Sequence, residues 1–363
     1  MTSDEAVEAG VRTTIMRGGT SRGLYLEAAD LPPDPAARDD LLLRLMGTPD
    51  PRQIDGLGGA TSLTSKVAVV SPSTHPDADV DYLFLQLGVG EATVSDAQNC
   101  GNILAGVGPF ALERGLVPPR DGTTDVRIRM VNSDSVAVAT VPTPGGRVTY
   151  CGDTAIAGVP GTAAGITIAF ADTEGSATGA LLPTGRERDV VDGVEVTCVD
   201  NGMPVVLALA SAFGLSGHEP HEELAAETTL AERVDAFRTK AGALMGLGDV
   251  TSSSVPKTVL LAPPRDGGQV CTRSFIPVVP HTAIGVLAAV SVVTGMRLPG
   301  AVGHDLTASW PDSGRVDVEH PTGHFLVDVE VDTTVSPPRA VRSGVVRTAR
   351  KLADGLAFPR AAS

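Results

Sequence analysis

A lysine and a cysteine stand out in this chain because each lies in a segment that recurs later. Ser65-Lys66-Val67-Ala68-Val69-Val70 is echoed by Pro256-Lys257-Thr258-Val259-Leu260-Leu261. Asn99-Cys100-Gly101-Asn102-Ile103-Leu104-Ala105-Gly106-Val107 is echoed by Pro280-His281-Thr282-Ala283-Ile284-Gly285-Val286-Leu287-Ala288. The order is the same both times: a lysine on a strand, then a polar turn opening a small-residue helix. A duplicated unit of this kind predicts two like domains facing each other across a cleft, and a lysine and a cysteine there point to proton transfer.

Each residue type suits that chemistry. Lys66 precedes an apolar strand, where a lysine is costly unless it reaches a polar space, and burial of an amine favours its neutral, proton-accepting form. The plainer reading is an edge-strand lysine that discourages aggregation. Cys100 falls at the predicted start of a helix, where free N–H groups and the helix dipole stabilise a thiolate. The plainer reading is a small buried hydrophobe; Cys151, Cys198 and Cys271, in strand-like or turn contexts, read as structural. Lys257 is balanced between anion binding and a relic of the duplication. His281 is expected to open the echo helix as a catalytic or anion-binding group.

Arg17-Gly18-Gly19-Thr20-Ser21-Arg22-Gly23 is either a tight hairpin or a carboxylate cradle with hydroxyl donors at Thr20 and Ser21. No phosphate-loop motif is present, and no GxGxxG leads into a helix. The histidines form no HExxH pair. His218 with His221, and His320 with His324 around Pro321-Thr322-Gly323, read as solvated loops, so no metal is expected.

The elements that must position these residues are legible in outline. The 363 residues suggest two domains at roughly 150 residues each. With 3% aromatics the core must be Val, Leu, Ile and Ala, while 41 Gly and 27 Pro imply many turns and short strands. Strands are expected at Val11–Met16, Leu24–Leu26, 66–70, Asp79–Leu87, 126–149, 189–209 and 316–331. Helices are expected at Pro35–Met46, at 100–114 with Asn99 as cap and Gly115 as stop, at 229–245 with a Thr229/Glu232 capping box, and at 282–293. Strands in two matched sets with few helices indicate an α+β fold, each half wrapping strands around one central helix.

The net charge of −15 argues against nucleic acid and against an anionic membrane surface. No apolar run reaches about 18 residues, so no membrane span is expected. Met1–Gly10 lacks the basic start and apolar run of a signal peptide. Four scattered cysteines without a CxxC pair suit neither a zinc ribbon nor a disulfide framework, and the expected location is the cytoplasm.

At these motifs the chain resembles the 2-methylaconitate isomerase and 4-oxalomesaconate tautomerase family, which has the diaminopimelate epimerase fold. The carriers are Met16-Arg17-Gly18-Gly19-Thr20-Ser21, Arg52-Gln53-Ile54-Asp55-Gly56 with Gly58-Gly59-Ala60, Ser65-Lys66-Val67-Ala68-Val69 and Asn99-Cys100-Gly101-Asn102. Gly158-Val159-Pro160-Gly161-Thr162-Ala163-Ala164 and Arg347-Thr348-Ala349-Arg350 add to them. Asp200-Asn201-Gly202-Met203-Pro204 and Ser254-Val255-Pro256-Lys257 resemble the oxalomesaconate branch. Arg22 stands where the family often has lysine, and Val278-Val279-Pro280-His281-Thr282 is less basic than in that branch.

The resemblance implies two pseudo-symmetric epimerase-like domains, residues 1–185, completed by 340–363, and residues 186–339. It implies a cofactor-independent allylic isomerisation of an unsaturated tricarboxylic acid, most closely 4-oxalomesaconate. Lys66 is then the main base and Cys100 the partner acid. Thr20, Ser21, Gly101 and Asn102 hold one carboxylate, and Arg273, His281 and Thr282 approach from the other domain. Arg17, Ser65, Met203 and Lys257 complete the expected substrate-binding set, and a homodimer is plausible for the fold. The alternatives are an isomerase of 2-methylaconitate, aconitate or a methylitaconate-like acid, and a non-catalytic accessory to an aconitase-like hydratase. A racemase is disfavoured, because the second half offers His281-Thr282 where two facing thiols are wanted.

Overall fold

A computed structural model describes residues 10–307, 310–311 and 314–361. The fold is α+β. Sixteen strands, most of them short, and five α-helices occur among the described residues. The chain divides into two compact units, Met1–Ile168 with Arg347–Ser363, and Ala169–Val346. These divisions fall inside strands, whereas the sequence placed them at 185/186 and 339/340.

The first unit contains β1 (Val11–Gly18), β2 (Ser21–Glu27), α1 (Pro35–Met46), β3 (Lys66–Pro72), β4 (Val80–Leu87), β5 (Val94–Ser95), α2 (Gly101–Glu113), β6 (Gly122–Met130), β7 (Ser135–Thr143) and the start of β8 (Gly165–Phe170). Its sheet is mixed. β1 and β2 form a hairpin, β2 runs parallel to β3, β3 and β4 are antiparallel, β4 is parallel to β6, and β6 and β7 are antiparallel. One sheet face takes α1: Leu41, Leu42, Leu45 and Met46 pack with Leu24, Leu26, Val67, Val69 and Leu85. The other face takes α2, which contacts β1 to β4, β6 and β7.

Helix α2 has little intrinsic helix propensity. Gly106 and Gly108 cost helix stability, and Pro109 removes one backbone donor. Burial overrides this, since every residue from Ile103 to Leu112 is buried. A Cβ at Gly106 would lie 2.4 Å from the Tyr25 hydroxyl and one at Gly108 2.8 Å from Val141. Glycine therefore lets the helix nest against the sheet, and propensity yields to packing. Gly115, at φ +74°, stops the helix as expected. The expected cap is corrected. Cys100 is the N-cap, with its carbonyl accepting from Leu104 N at 2.9 Å, while Asn99 Nδ2 instead donates to Ser133 Oγ at 2.7 Å.

The second unit contains β9 (Asp189–Val191), β10 (Val194–Asp200), β11 (Pro204–Leu209), α3 (His221–Ala226), α4 (Thr228–Leu244), β12 (Lys257–Ala262), β13 (Val270–Phe275), α5 (Val286–Arg297), β14 (Arg315–His320), β15 (Gly323–Asp332) and the start of β16 (Arg339–Ala357). β11 runs parallel to β12, β12 and β13 are antiparallel, β13 is parallel to β14, and β14 and β15 are antiparallel. α4 buries Leu230, Val234, Phe237 and Ala241 against Val206, Ala208, Leu260 and Phe275. Its expected capping box does not form: Glu227 is the N-cap and no side chain bonds the first turn. α5 packs on β10, β11 and β15. It begins at Val286 rather than 282, because the chain first closes a turn in which Ile276 N bonds Val279 O and His281 N bonds Ser274 O. Among the described residues, no helix is long and apolar enough to cross a membrane.

Candidate functional site

In the first unit, Lys66 and Cys100 are tied to the same face of β4. Lys66 opens β3 directly opposite Gln86, and its Nζ donates to Gln86 Oε1 at 2.6 Å. The amine lies 5.1 Å from the centre of the Phe84 ring, within reach of cation–π attraction. Two residues further along that face, the Tyr82 hydroxyl donates to the Cys100 carbonyl at 3.3 Å. Gln86 and Tyr82 stand four residues apart on β4, about 13 Å along the strand. The β4 face thus carries a hydrogen-bond partner of the Lys66 amine and one of the Cys100 carbonyl at the start of α2.

Lys66 is buried at 8% exposure, while Cys100 is partly exposed. The first turn of α2 is fixed from beneath, since Tyr25 donates to Ile103 O at 2.6 Å. Burial holds the Tyr25 and Tyr82 phenols well above their ordinary pKa, with the neighbouring Cys100 adding to it. Both phenols are therefore neutral donors at working pH. A Cβ on Gly101 would meet nothing within 4 Å, so there is open space beside the first residue of α2.

The Arg17 to Gly23 loop is a hairpin that reaches this helix start. Gly18 pairs with Ser21, and Gly19-Thr20 makes the turn. Asn102 Nδ2 donates to Thr20 Oγ1 at 3.0 Å. Gly19 has φ +51°, and a Cβ there would sit 2.2 Å from Asn102 Oδ1; one at Gly23 would sit 2.6 Å from the Lys66 carbonyl. The glycines are what permit this approach. Ser21 Oγ is buried without a hydrogen-bond partner. Arg17 spends Nη1 on Gly19 O and on the Thr348 carbonyl and hydroxyl, so it braces the hairpin.

Ser65 does not offer its hydroxyl to a ligand. It is fully buried and donates to Gln53 Oε1 at 2.8 Å. That same oxygen accepts from Ala60 N at 2.8 Å, while Gln53 Nε2 donates to Thr48 Oγ1 at 3.1 Å. The glycine-rich segment after Arg52 is therefore gathered around one buried amide just before Lys66. The sequence flagged this motif without giving Gln53 a task.

The second unit splits its expected residues between two sheet faces. Val259 pairs with Ser274 and Leu260 with Arg273, and side chains alternate along a strand. Lys257 therefore shares a face with Ser274, and Arg273 points to the opposite one. Arg273 is buried, with Nε on Glu219 O at 2.7 Å and Nη1 on Thr272 O at 2.8 Å. It reads as an internal brace rather than a free cation. Lys257 reaches towards Gly285, the cap of α5, and burial lowers its pKa. His281 does not open α5. It sits in the preceding turn, with Nδ1 accepting from Ala283 N at 2.8 Å, and burial together with the Lys257 charge lowers its pKa. Thr282 is exposed, and its carbonyl accepts from Thr322 Oγ1 at 2.8 Å. Met203 lies before β11 with its carbonyl accepting from Ser291 Oγ.

The histidines of the last hairpin are a correction. His320 is the last residue of β14, buried at 8% exposure, with burial pushing its pKa down to about 4. His324 opposes Glu319 across the hairpin and sits between Asp317 (2.9 Å) and Asp266 (3.1 Å), which outweigh its burial and raise its pKa. Neither belongs to a solvated loop. The strands expected over 316–331 do form, and both histidines lie in them on either side of the Pro321-Thr322 turn. The alternation of Val316, Val318 and His320 was the available signal.

The family model described as PrpF protein matches residues 9–359. A (4E)-oxalomesaconate Delta-isomerase of Novosphingobium sp. (strain KA1) is 57% identical, over 94% of this chain and 96% of the relative. A 4-oxalomesaconate tautomerase of Pseudomonas putida is 54% identical, over 94% of each chain. The crystal structure of a methylitaconate-delta-isomerase superposes with a TM-score of 0.85 at 33% identity, covering 96% of this chain and 95% of that one.

Proposed function

This chain belongs to the PrpF family, and from that premise we propose that it is an isomerase that moves a carbon–carbon double bond in 4-oxalomesaconate by allylic proton transfer. The observation that carries the reading is the β4 face, to which the Lys66 amine and the Cys100 carbonyl are both hydrogen-bonded. The identities of 57% and 54% to two oxalomesaconate isomerases favour this substrate over methylitaconate.

In the proposed reaction the Lys66 amine takes a proton from the carbon next to the activated double bond. The electron pair delocalises into the adjoining keto or carboxylate group. The Cys100 thiol returns a proton at the far end of the three-carbon unit, and the two groups reset by exchange with solvent. The developing negative charge needs donors fixed in advance. The N–H groups opening α2, with Thr20 and Asn102, are read as those donors, and the helix dipole adds to them. Ser21, whose buried hydroxyl lacks a partner, is read as a further substrate donor. Arg17 holds the hairpin in place. Lys257, His281 and Thr282 are read as carboxylate-binding groups of the second unit. The matching strand pairings of the two units support a duplicated, diaminopimelate epimerase-like fold, and a cytoplasmic setting suits the free thiols.

Proton NMR of purified enzyme in D2O tests the substrate, using 4-oxalomesaconate, 2-methylaconitate, and cis- and trans-aconitate. Conversion of oxalomesaconate with deuterium entering the allylic carbon is expected. Conversion of only a plain tricarboxylate would keep the mechanism and replace the substrate. No conversion of any of the four would overturn the reading.

A further inference from the structure

We propose that Gln86 is a positioning residue for Lys66, an inference that rests on the reading of Lys66 as the base. Its Oε1 accepts from Lys66 Nζ at 2.6 Å. Its Nε2 donates to Ser65 O at 3.0 Å, Leu87 O at 3.1 Å and Ser62 O at 3.3 Å. Carbonyls can only accept, so three of them around one end of the amide fix the nitrogen there and turn the oxygen to the lysine. The flipped amide would set oxygen against oxygen and aim N–H groups at an amine. The orientation is thus built in, and it acts on a strand neighbour in direct register.

The choice of a neutral acceptor is the informative part. Among the described residues no carboxylate pairs with Lys66. The position beside it on β2 is Gly23, which has no side chain, and the remaining contact from β4 is the Phe84 ring. A carboxylate at this place would hold the lysine as ammonium and oppose its loss of a proton. An amide oxygen accepts from an ammonium and from a neutral amine alike. A lysine that must pass between the two forms in every turnover therefore keeps one fixed contact throughout. Gln86 also bonds the carbonyls of Ser62 and Ser65, so it ties the loop before Lys66 to the amine itself.

The test compares Gln86→Leu and Gln86→Glu with the parent enzyme, with Tm as a control for folding. Misplacing a catalytic group by an ångström costs up to about 100-fold. Gln86→Leu is expected to lower kcat by about 10- to 100-fold with KM within about threefold. Gln86→Glu is expected to lower turnover at neutral pH, with activity returning as pH rises and the ascending limb of the pH–rate profile displaced upward. Wild-type kcat in both variants, whatever their Tm, would overturn the proposal. If Gln86→Leu fails to fold, the displaced limb of Gln86→Glu decides. A readout independent of turnover is the rate at which an amine-acylating reagent labels Lys66, followed by peptide mass spectrometry. Faster labelling in Gln86→Leu is expected and an unchanged rate overturns the role. If the parent shows no isomerase activity, the functional reading fails while this labelling still decides whether Gln86 holds the lysine.

Discussion

Strands β3 and β12 begin alike and finish their lysines differently. Each opens on a lysine, runs parallel to the strand before it and antiparallel to the strand after it. Opposite Lys66 stands Gln86, which captures the amine. β13 stops at Phe275, opposite Thr258, so the place facing Lys257 falls to Ile276 in a turn, and the isoleucine side chain accepts nothing. The helices that follow differ in the same way. α2 starts immediately after Cys100, while α5 starts after Gly285, with His281 left in the preceding turn. One frame thus carries an anchored amine and a thiol, and the other a desolvated amine with a lowered pKa and no thiol. On the proposed reading the first frame moves protons and the second binds the substrate.

That contrast is sharpest in the paired lysine variants. Lys66→Met is expected to lower kcat by about 10²–10⁴-fold, the range for a lost general base. Lys257→Met should instead raise KM by roughly tenfold, as for one charge-assisted hydrogen bond, with kcat little changed. Steady-state kinetics on 4-oxalomesaconate would break the comparison if both variants lost kcat equally. Cys100→Ala should cost about 100-fold in kcat, and a loss under about threefold would reduce the cysteine to positioning.

The glycines of the first unit give a smaller, structural test. Gly19→Ala meets Asn102 at a positive φ and should lower stability by about 1–3 kcal/mol. Gly101→Ala faces open space in the first helical turn and should be neutral or stabilising by up to about 1 kcal/mol. Denaturant unfolding of both variants checks the pair, and equal losses would mean the hairpin is not seated on Asn102.

A pH-dependent effect on stability alone lies in the second unit. His320 has a folded pKa of about 4 against about 6.5 when unfolded. The unfolded chain therefore binds the extra proton in that window, and stability must fall as pH drops from about 6.5 towards 4. His320→Gln should flatten that part of the profile. A variant with an unchanged slope would place the histidine in solvent.

Much of this was legible in the sequence. α1 runs over the residues expected, Gly115 stops α2, and Val80, Tyr82 and Phe84 alternate as read, because periodicity and local caps are written in neighbouring residues. What was missed depended on partners distant in sequence. Asn99 looked like a cap, but Ser133 claims its amide. Ser65 looked free until Gln53 took its hydroxyl. Arg273 looked like a cation for substrate, but strand alternation turns it away from the Lys257 face, and register cannot be read from one strand alone. Gln86 was invisible for the same reason, since only the β3–β4 pairing sets it opposite Lys66. His320 looked solvated although it lies in an expected strand, because its burial is set by distant packing.

The most direct test of the account is solvent deuterium exchange into the allylic carbon of 4-oxalomesaconate, followed by proton NMR with wild type and Lys66→Met side by side. The account predicts exchange with wild type and none above background with Lys66→Met at matched fold and concentration. Exchange at the wild-type rate in the variant would remove Lys66 from proton transfer and contradict it.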